Sequence, residues 1–193
     1  MNRFSRRAWI CGLLGLGAAG LWPRRVRPQG HARAPAPLAP GRSPFDARQR
    51  RALAAACERV LPGAGEAGVP GYLDRQLARE PFSRFLAPTF GRAAELLDSQ
   101  AREAHGQVFA ELPAEAQDAI LGRFQAGAVQ AQGFQARPFF EHLVRFCLEG
   151  FLGDPRHGGN RAEVGWRFIG HHPCWWSPRR IDSLTRRGRA LPY

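Results

Sequence analysis

His157, His171, His172 and Cys174 lie close together near the carboxyl end, with His142 a short way upstream. Imidazole and thiolate are ligands that zinc, copper and iron favour, so a metal centre would be sought here first. The spacing argues against one. Adjacent histidines on an extended segment point to opposite sides, and no second pair stands at a fixed distance in the chain. Histidines on a surface loop, in an interface segment, account for the pattern better. Asp154 and Asn160 are the polar residues between them that could be assigned to catalysis. One carboxylate without a partner is more naturally a turn former, and Asp154-Pro155 and Gly158-Gly159-Asn160 are turn sequences. No catalytic, cofactor-binding or metal-ligating residue is assigned.

Other chemistries lack their motifs. No G-x-G-x-x-G follows a strand, so no dinucleotide or flavin site of the usual kind is expected. There is no C-x-x-C-H for covalent haem and no cysteine pair at zinc or iron–sulfur spacing. P-loop and G-x-S-x-G patterns are missing too.

The loop that carries these histidines must be held by what precedes it. Phe140, Leu143, Val144, Cys147 and Phe151 recur at helical steps from Pro138 onward, and Phe139, Phe146, Leu148 and Leu152 widen the face. A helix apolar over most of its circumference has to be covered on several sides, which makes it the centre of the core. Asp154-Pro155 stops it. Upstream, Asp46 starts a helix bearing Leu53, Ala56, Cys57, Val60 and Leu61, ended by Pro62-Gly63. A short helix with Tyr72, Leu73 and Leu77 closes at Pro81. A longer one is traced by Ala93, Leu97, Ala101, Ala104 and Val108. Pro113 opens a fourth, with Ala116, Ile120 and Phe124 inward and acids in its first turn, which suit the helix dipole. No strand-like alternation of useful length occurs. The expected fold is all-α: an irregular bundle of about five helices with a loop-rich, aromatic carboxyl arm.

A net charge of +12 over 193 residues invites a nucleic-acid reading. The distribution removes it. Residues 1–42 hold eight Arg and no acid, whereas residues 43–178 balance 15 Arg against 15 acids. The basicity lies in the two ends, and no basic face of a known nucleic-acid module is evident. Ser5-Arg6-Arg7-Ala8-Trp9-Ile10, followed by a glycine-rich apolar run to Leu21, reads as a signal peptide too short to span a membrane unaided. The adjacent Arg6 and Arg7 mark the twin-arginine type, which exports folded proteins; Trp9 and the missing lysine depart from the ideal motif, and a Sec signal is the alternative. Gly17-Ala18-Ala19 is the better cleavage site. The expected division is a signal over 1–21, a disordered Pro/Ala/Arg linker over 22–42, a helical domain over 43–178 and a basic tail over 179–193. Export places the chain in the periplasm. Cys57 and Cys147 lie on apolar helix faces and read as buried thiols, with a disulfide between them the alternative. Cys174 is the odd thiol and the candidate for a bond to another chain.

The carboxyl arm is rich in rings: Trp166, Phe168, Trp175, Trp176 and Tyr193. Such residues either fold back on their own core or anchor a partner, as tryptophan and tyrosine do at hot spots. Here the chain shows a resemblance. Phe139-Phe140, Gly150-Phe151, Asp154-Pro155, Gly158-Gly159-Asn160, Gly165-Trp166 and Ile169-Gly170, in this order and spacing, resemble the gluconate 2-dehydrogenase subunit 3 family, and the likeness extends weakly back to about Asp46. The resemblance implies a non-catalytic small subunit of a periplasmic sugar or sugar-acid dehydrogenase. It implies a large partner of the glucose–methanol–choline type that holds FAD, and in many such complexes a multi-haem cytochrome c that carries electrons to the membrane. The small subunit would supply the twin-arginine signal to the translocase and help the flavoprotein mature. It tips the arm toward a partner surface made by Gly158, Gly159, Asn160, Trp166, Phe168, Trp175 and Trp176. A stand-alone periplasmic enzyme and a membrane-tethered binding module remain the alternatives.

Overall fold

The computed structural model describes Ala39 and residues 42–171. The expected signal, most of the linker, the basic tail, Cys174, Trp175 and Trp176 lie outside the described residues. Six α-helices occupy them: α1 (Ala47–Val60), α2 (Val69–Arg79), α3 (Ala87–His105), α4 (Ala114–Gln125), α5 (Ala136–Leu152) and the short α6 (Val164–Phe168). The fold is all-α, as expected.

Local chemistry sets the helix ends. Asp46 Oδ1 accepts from the backbone N–H groups of Arg48 and Gln49, both at 2.8 Å, and Gln49 Oε1 accepts from Asp46 N–H at 3.1 Å. This reciprocal cap contributes about 1 kcal/mol to starting α1. At the far end the Glu58 carboxylate accepts from Gly63 N–H (2.7 Å) and Gly65 N–H (2.8 Å), tying down the turn into α2. Gly106, in the left-handed region at φ 72°, caps α3. That cap ends the helix before Val108, which was expected to continue its inner face; Ala104 is exposed. Helix α5 starts at Ala136, before Pro138, because a proline is tolerated in a first turn whose N–H groups have no helical acceptors.

One element was not expected. Gln130–Ala131 (β1) and Phe134–Gln135 (β2) pair antiparallel, Ala131 opposite Phe134, around a turn at Gly133. Two-residue strands are too short to leave an alternating pattern. The hairpin delivers Phe134 onto Phe124 and Phe139, at centroid distances of 6.1 and 5.9 Å.

Helix α5 is the centre of the core, with α2 and α4 packed most closely against it and α1 and α3 completing the bundle. Phe139 meets Phe90 at 5.0 Å and Phe124 at 5.8 Å, and Phe90 reaches Phe146 at 5.7 Å. These edge-to-face contacts put positive ring edges on negative ring faces. The apolar arc is narrower than the sequence suggested. Leu148 and Leu152 are exposed, at 45% and 36%. At about 100° per residue they fall roughly 60–100° beyond Phe151, on the side of Glu141 rather than Leu143.

Two buried polar residues hold the bundle's lower joint. Asp98 Oδ1 accepts from Phe109 N–H at 3.0 Å, while its Oδ2 takes Arg48 Nε–H at 2.6 Å. Gln117 Nε2–H donates to Phe109 C=O at 2.8 Å. The turn between α3 and α4 is thereby satisfied from both sides. Arg59 and Asp118 form a paired fork between α1 and α4, at 2.7 and 2.6 Å.

Candidate functional site at the end of α5

Where α5 stops, the chain is folded back on itself by Asn160. This residue is fully buried. Its backbone N–H donates to Gly150 C=O at 2.6 Å, its Nδ2–H to Gly153 C=O at 2.9 Å, and its Oδ1 accepts from Gly165 N–H at 2.8 Å. Three carbonyl or amide groups left over by the end of α5 and the start of α6 are therefore satisfied by one side chain and its own peptide. Arg161 N–H extends the lacing to Ala67 C=O, at 2.9 Å, in the turn between α1 and α2.

The approach demands residues without a Cβ. A methyl group on Gly159 would sit inside the Gly150 carbonyl, and one on Gly165 inside the Phe151 carbonyl. The close approach expected of the Gly158-Gly159-Asn160 run is thus made to α5 of the same chain, and Gly159 and Asn160 are interior groups. Asn160, Ala162 and Glu163 all have positive φ, at 45°, 51° and 58°. Each such residue costs on the order of 1 kcal/mol, so the loop is a strained segment held by its hydrogen bonds.

Trp166 is half-buried. Its indole Nε1–H donates to Leu152 C=O at 2.7 Å, satisfying another carbonyl at the end of α5, and its ring meets His171 edge-on at 5.1 Å. Phe168 touches Phe151 edge-on at 6.1 Å, yet stays 78% exposed, and Ile169 beside it is 55% exposed. With Leu148 and Leu152 on the last turns of α5, this end of the molecule presents an apolar surface. Arg145 and Glu149, in an ion pair at 3.4 Å, border it. Leu148 and Leu152 were expected on the core face, and Ile169 was not among the expected partner-surface residues; all three are exposed. A helical wheel that set Leu148 beside Glu141 would have found the first two.

Among the described residues the histidines do not converge, and His172 lies outside them. His157 is exposed and accepts from Arg156 Nε–H at 3.3 Å. His142 is half-buried on α5, where burial first and the Arg145 charge second hold it below the ordinary imidazole range, Glu141 opposing. Among the described residues no three His, Cys, Asp or Glu side chains are placed to hold a metal ion. None of the described helices is long and apolar enough to cross a membrane. Two open clefts, of about 680 and 670 Å³, are lined in part by Arg42, Gln49 and Arg84 and by Arg50, Pro70 and Asp74, and contain none of the candidate residues. Burial pushes the Asp74 carboxyl up, against the hydrogen bond from Ser43 and the Arg50 charge.

Residues 47–173 match the family model described as gluconate 2-dehydrogenase subunit 3. The chain belongs to this family. The match takes in α1 to α6 and the whole Asn160 loop, including every residue pair on which the sequence resemblance rested. As the family's name says, its members are subunits of a dehydrogenase built from more than one chain. No curated protein and no solved structure matches the chain.

Proposed function

We propose that this subunit 3 chain is the non-catalytic small subunit of a periplasmic, FAD-dependent sugar or sugar-acid dehydrogenase. The flavin is held by a large partner of the glucose–methanol–choline type. A multi-haem cytochrome c receives the electrons. The observation that carries the reading is the apolar end of α5: Leu148, Leu152, Phe168 and Ile169 are exposed in a family whose members work as subunits. Exposed rings and aliphatic groups at one end of a small fold are what a partner interface desolvates. The strained loop from Gly158 to Glu163 supports it, because a segment tightly laced from behind offers its outer side as a rigid template. Trp166 and Phe168 belong to that face; Trp175 and Trp176, a few positions on in the sequence, are proposed as further partner contacts, and Cys174 as the thiol of an intersubunit disulfide.

In this reading the chain also carries the export signal for the complex, read by the twin-arginine translocase through Arg6 and Arg7. The folded, flavin-loaded partner crosses with it, having matured on it. Arg6→Lys/Arg7→Lys is the test. Dehydrogenase activity is expected to stay in the cytoplasm of cells expressing that variant with its partner. Wild-type activity in the periplasmic fraction would overturn the shared signal.

A further inference from the structure

We propose that the cleft between the end of α2 and the start of α3 is a docking site for an acidic segment of a protein partner. The cleft holds about 680 Å³, and its walls include Arg42, Arg84 and Arg92. Glu95 is the one acid among its lining residues. That carboxylate is already engaged: Oε2 accepts from Arg92 Nη1 at 3.0 Å and Oε1 from Gln49 Nε2 at 3.4 Å. Arg42 and Arg84 have no carboxylate partner among the described residues, so two positive charges line the cleft unopposed. Arg84 has the most bonding capacity left. Its Nη1 reaches Arg79 C=O only at 3.4 Å, while Nε is enclosed and makes no hydrogen bond among the described residues. The Nε–Nη2 edge is the fork that a carboxylate takes in two parallel bonds. An enclosed donor without an acceptor is unfavourable, which biases Arg84 toward a rotation that brings this fork to a ligand in the cleft. Ser43 stands in the same wall. Its Oγ accepts from Phe45 N–H at 3.0 Å, which leaves the hydroxyl hydrogen to donate.

Arginines beside exposed rings suit two occupants, an acidic protein segment and an anionic bilayer, and shape decides between them. Phe82 and Phe85 flank Arg84 in the sequence and are 88% and 54% exposed. On a convex tip such rings would enter a membrane surface. Here they neighbour a concavity whose lining includes the apolar Leu77, Ala78 and Ala87. A planar bilayer cannot fill it. An extended peptide can: its carboxylates meet Arg42 and Arg84, and its apolar side chains cover the two phenyl rings. Charge complementarity sets the register, and burial of the rings adds affinity. This face shares no residue with the apolar end of α5, and it is read from the cleft alone, whether or not the dehydrogenase assignment holds.

The test uses the full chain and a fluorescein-labelled peptide of aspartate, glutamate and leucine, with binding read by anisotropy. Arg42→Gln/Arg84→Gln is expected to weaken binding about tenfold, as the loss of charge-assisted contacts does. Arg51→Gln/Arg123→Gln removes the same charge from exposed positions outside the cleft and should change the affinity less than about twofold. Equal losses in the two variants, or no binding by the unaltered chain, would overturn the site, since net charge alone would then explain any attraction. Phe82→Ser/Phe85→Ser should also weaken the peptide, and should leave sedimentation with vesicles of phosphatidylglycerol and phosphatidylcholine unchanged. Vesicle binding that these two changes abolish, with peptide affinity intact, would make the face a membrane surface instead. A measurement without variants guards against misfolding. In the unaltered protein the peptide should protect Arg42 and Arg84 from phenylglyoxal, read by mass spectrometry of the digest, while Arg51 and Arg123 stay reactive. Arg42 and Arg84 modified as fast with the peptide as without it would sink the proposal.

Discussion

The two ends of α5 are held together by opposite means. Its amino-terminal half is gripped by rings, with Phe139 among Phe90, Phe124 and Phe134. Its carboxyl end is gripped by peptide hydrogen bonds, nearly all converging on Asn160, and by a tryptophan that caps Leu152 C=O. Apolar packing is non-directional and leaves nothing exposed. Hydrogen bonding can hold a backbone in place while its side chains stay outside. That is how Phe168 and Ile169 remain in solvent on a segment whose backbone is fixed. The first end serves stability; the second presents a surface.

The largest effect should come from the packed end. Phe139→Ala removes a wholly buried ring from the middle of the aromatic cluster and should destabilise the fold by about 4 kcal/mol. Denaturant unfolding measures it. A loss below about 1 kcal/mol would mean that the cluster is not the core that the contacts describe.

Asn160→Ala comes next, at about 3 kcal/mol, because Gly153 C=O and Gly165 N–H both lose their partner and alanine is poorly suited to φ 45°. Its signature should differ from that of Phe139→Ala. Hydrogen exchange should rise over 153–168 first, while the amides of α3 and α4 keep their protection. Uniform loss across the bundle would break the distinction between the two ends.

Phe168→Ala and Ile169→Ala sharpen the contrast from the other side. Both side chains are mostly exposed, so each change should move stability by less than about 1 kcal/mol. Binding to the proposed flavoprotein partner should weaken about thirtyfold, the equivalent of about 2 kcal/mol. Titration calorimetry with the purified partner reads the affinity, with circular dichroism as the folding control. Full affinity in both variants would move the interface off this end.

The packed end was largely legible in the sequence and the laced end only in part. Phe139, Leu143, Cys147 and Phe151 announce their face because burial repeats with the helix. The cap at Asp46 and the stops at Pro62 and Pro81 are local, and local signals survive in a single chain. Asp98 and Gln117 were not legible, because their partner Phe109 is reached through a turn and not through spacing. The Gly158-Gly159-Asn160 run announced a close backbone approach but not its target. That target, Gly150 C=O, is set by how α5 ends in three dimensions. Leu148 and Leu152 misled because an apolar residue beside an apolar face reads as core until its angle is counted.

The smallest effect concerns the joint between the two regions. Tyr72 on α2 lies against Gly150, where a Cβ would fall 2.8 Å from its ring, and its hydroxyl donates to Glu149 Oε2 at 3.4 Å. Burial first, then the Glu149 charge and hydrogen bond, push the phenol up to about 12, with Arg145 opposing. The unfolded phenol ionises near pH 10. A folded pKa above the unfolded one means that the folded state keeps its proton longer. The contribution is therefore fully present below about pH 10, falls as the pH rises, and is lost once the pH passes the folded value of about 12. Tyr72→Phe removes the titrating group, so the variant should lose less stability than the wild type between those limits. At neutral pH the long hydrogen bond is worth little, and the substitution should cost less than about 1 kcal/mol. Urea unfolding of both proteins at neutral and at alkaline pH makes the comparison. Parallel curves would mean that Tyr72 ionises as freely as in the unfolded chain, and that the joint between α2 and the end of α5 is open to water rather than sealed.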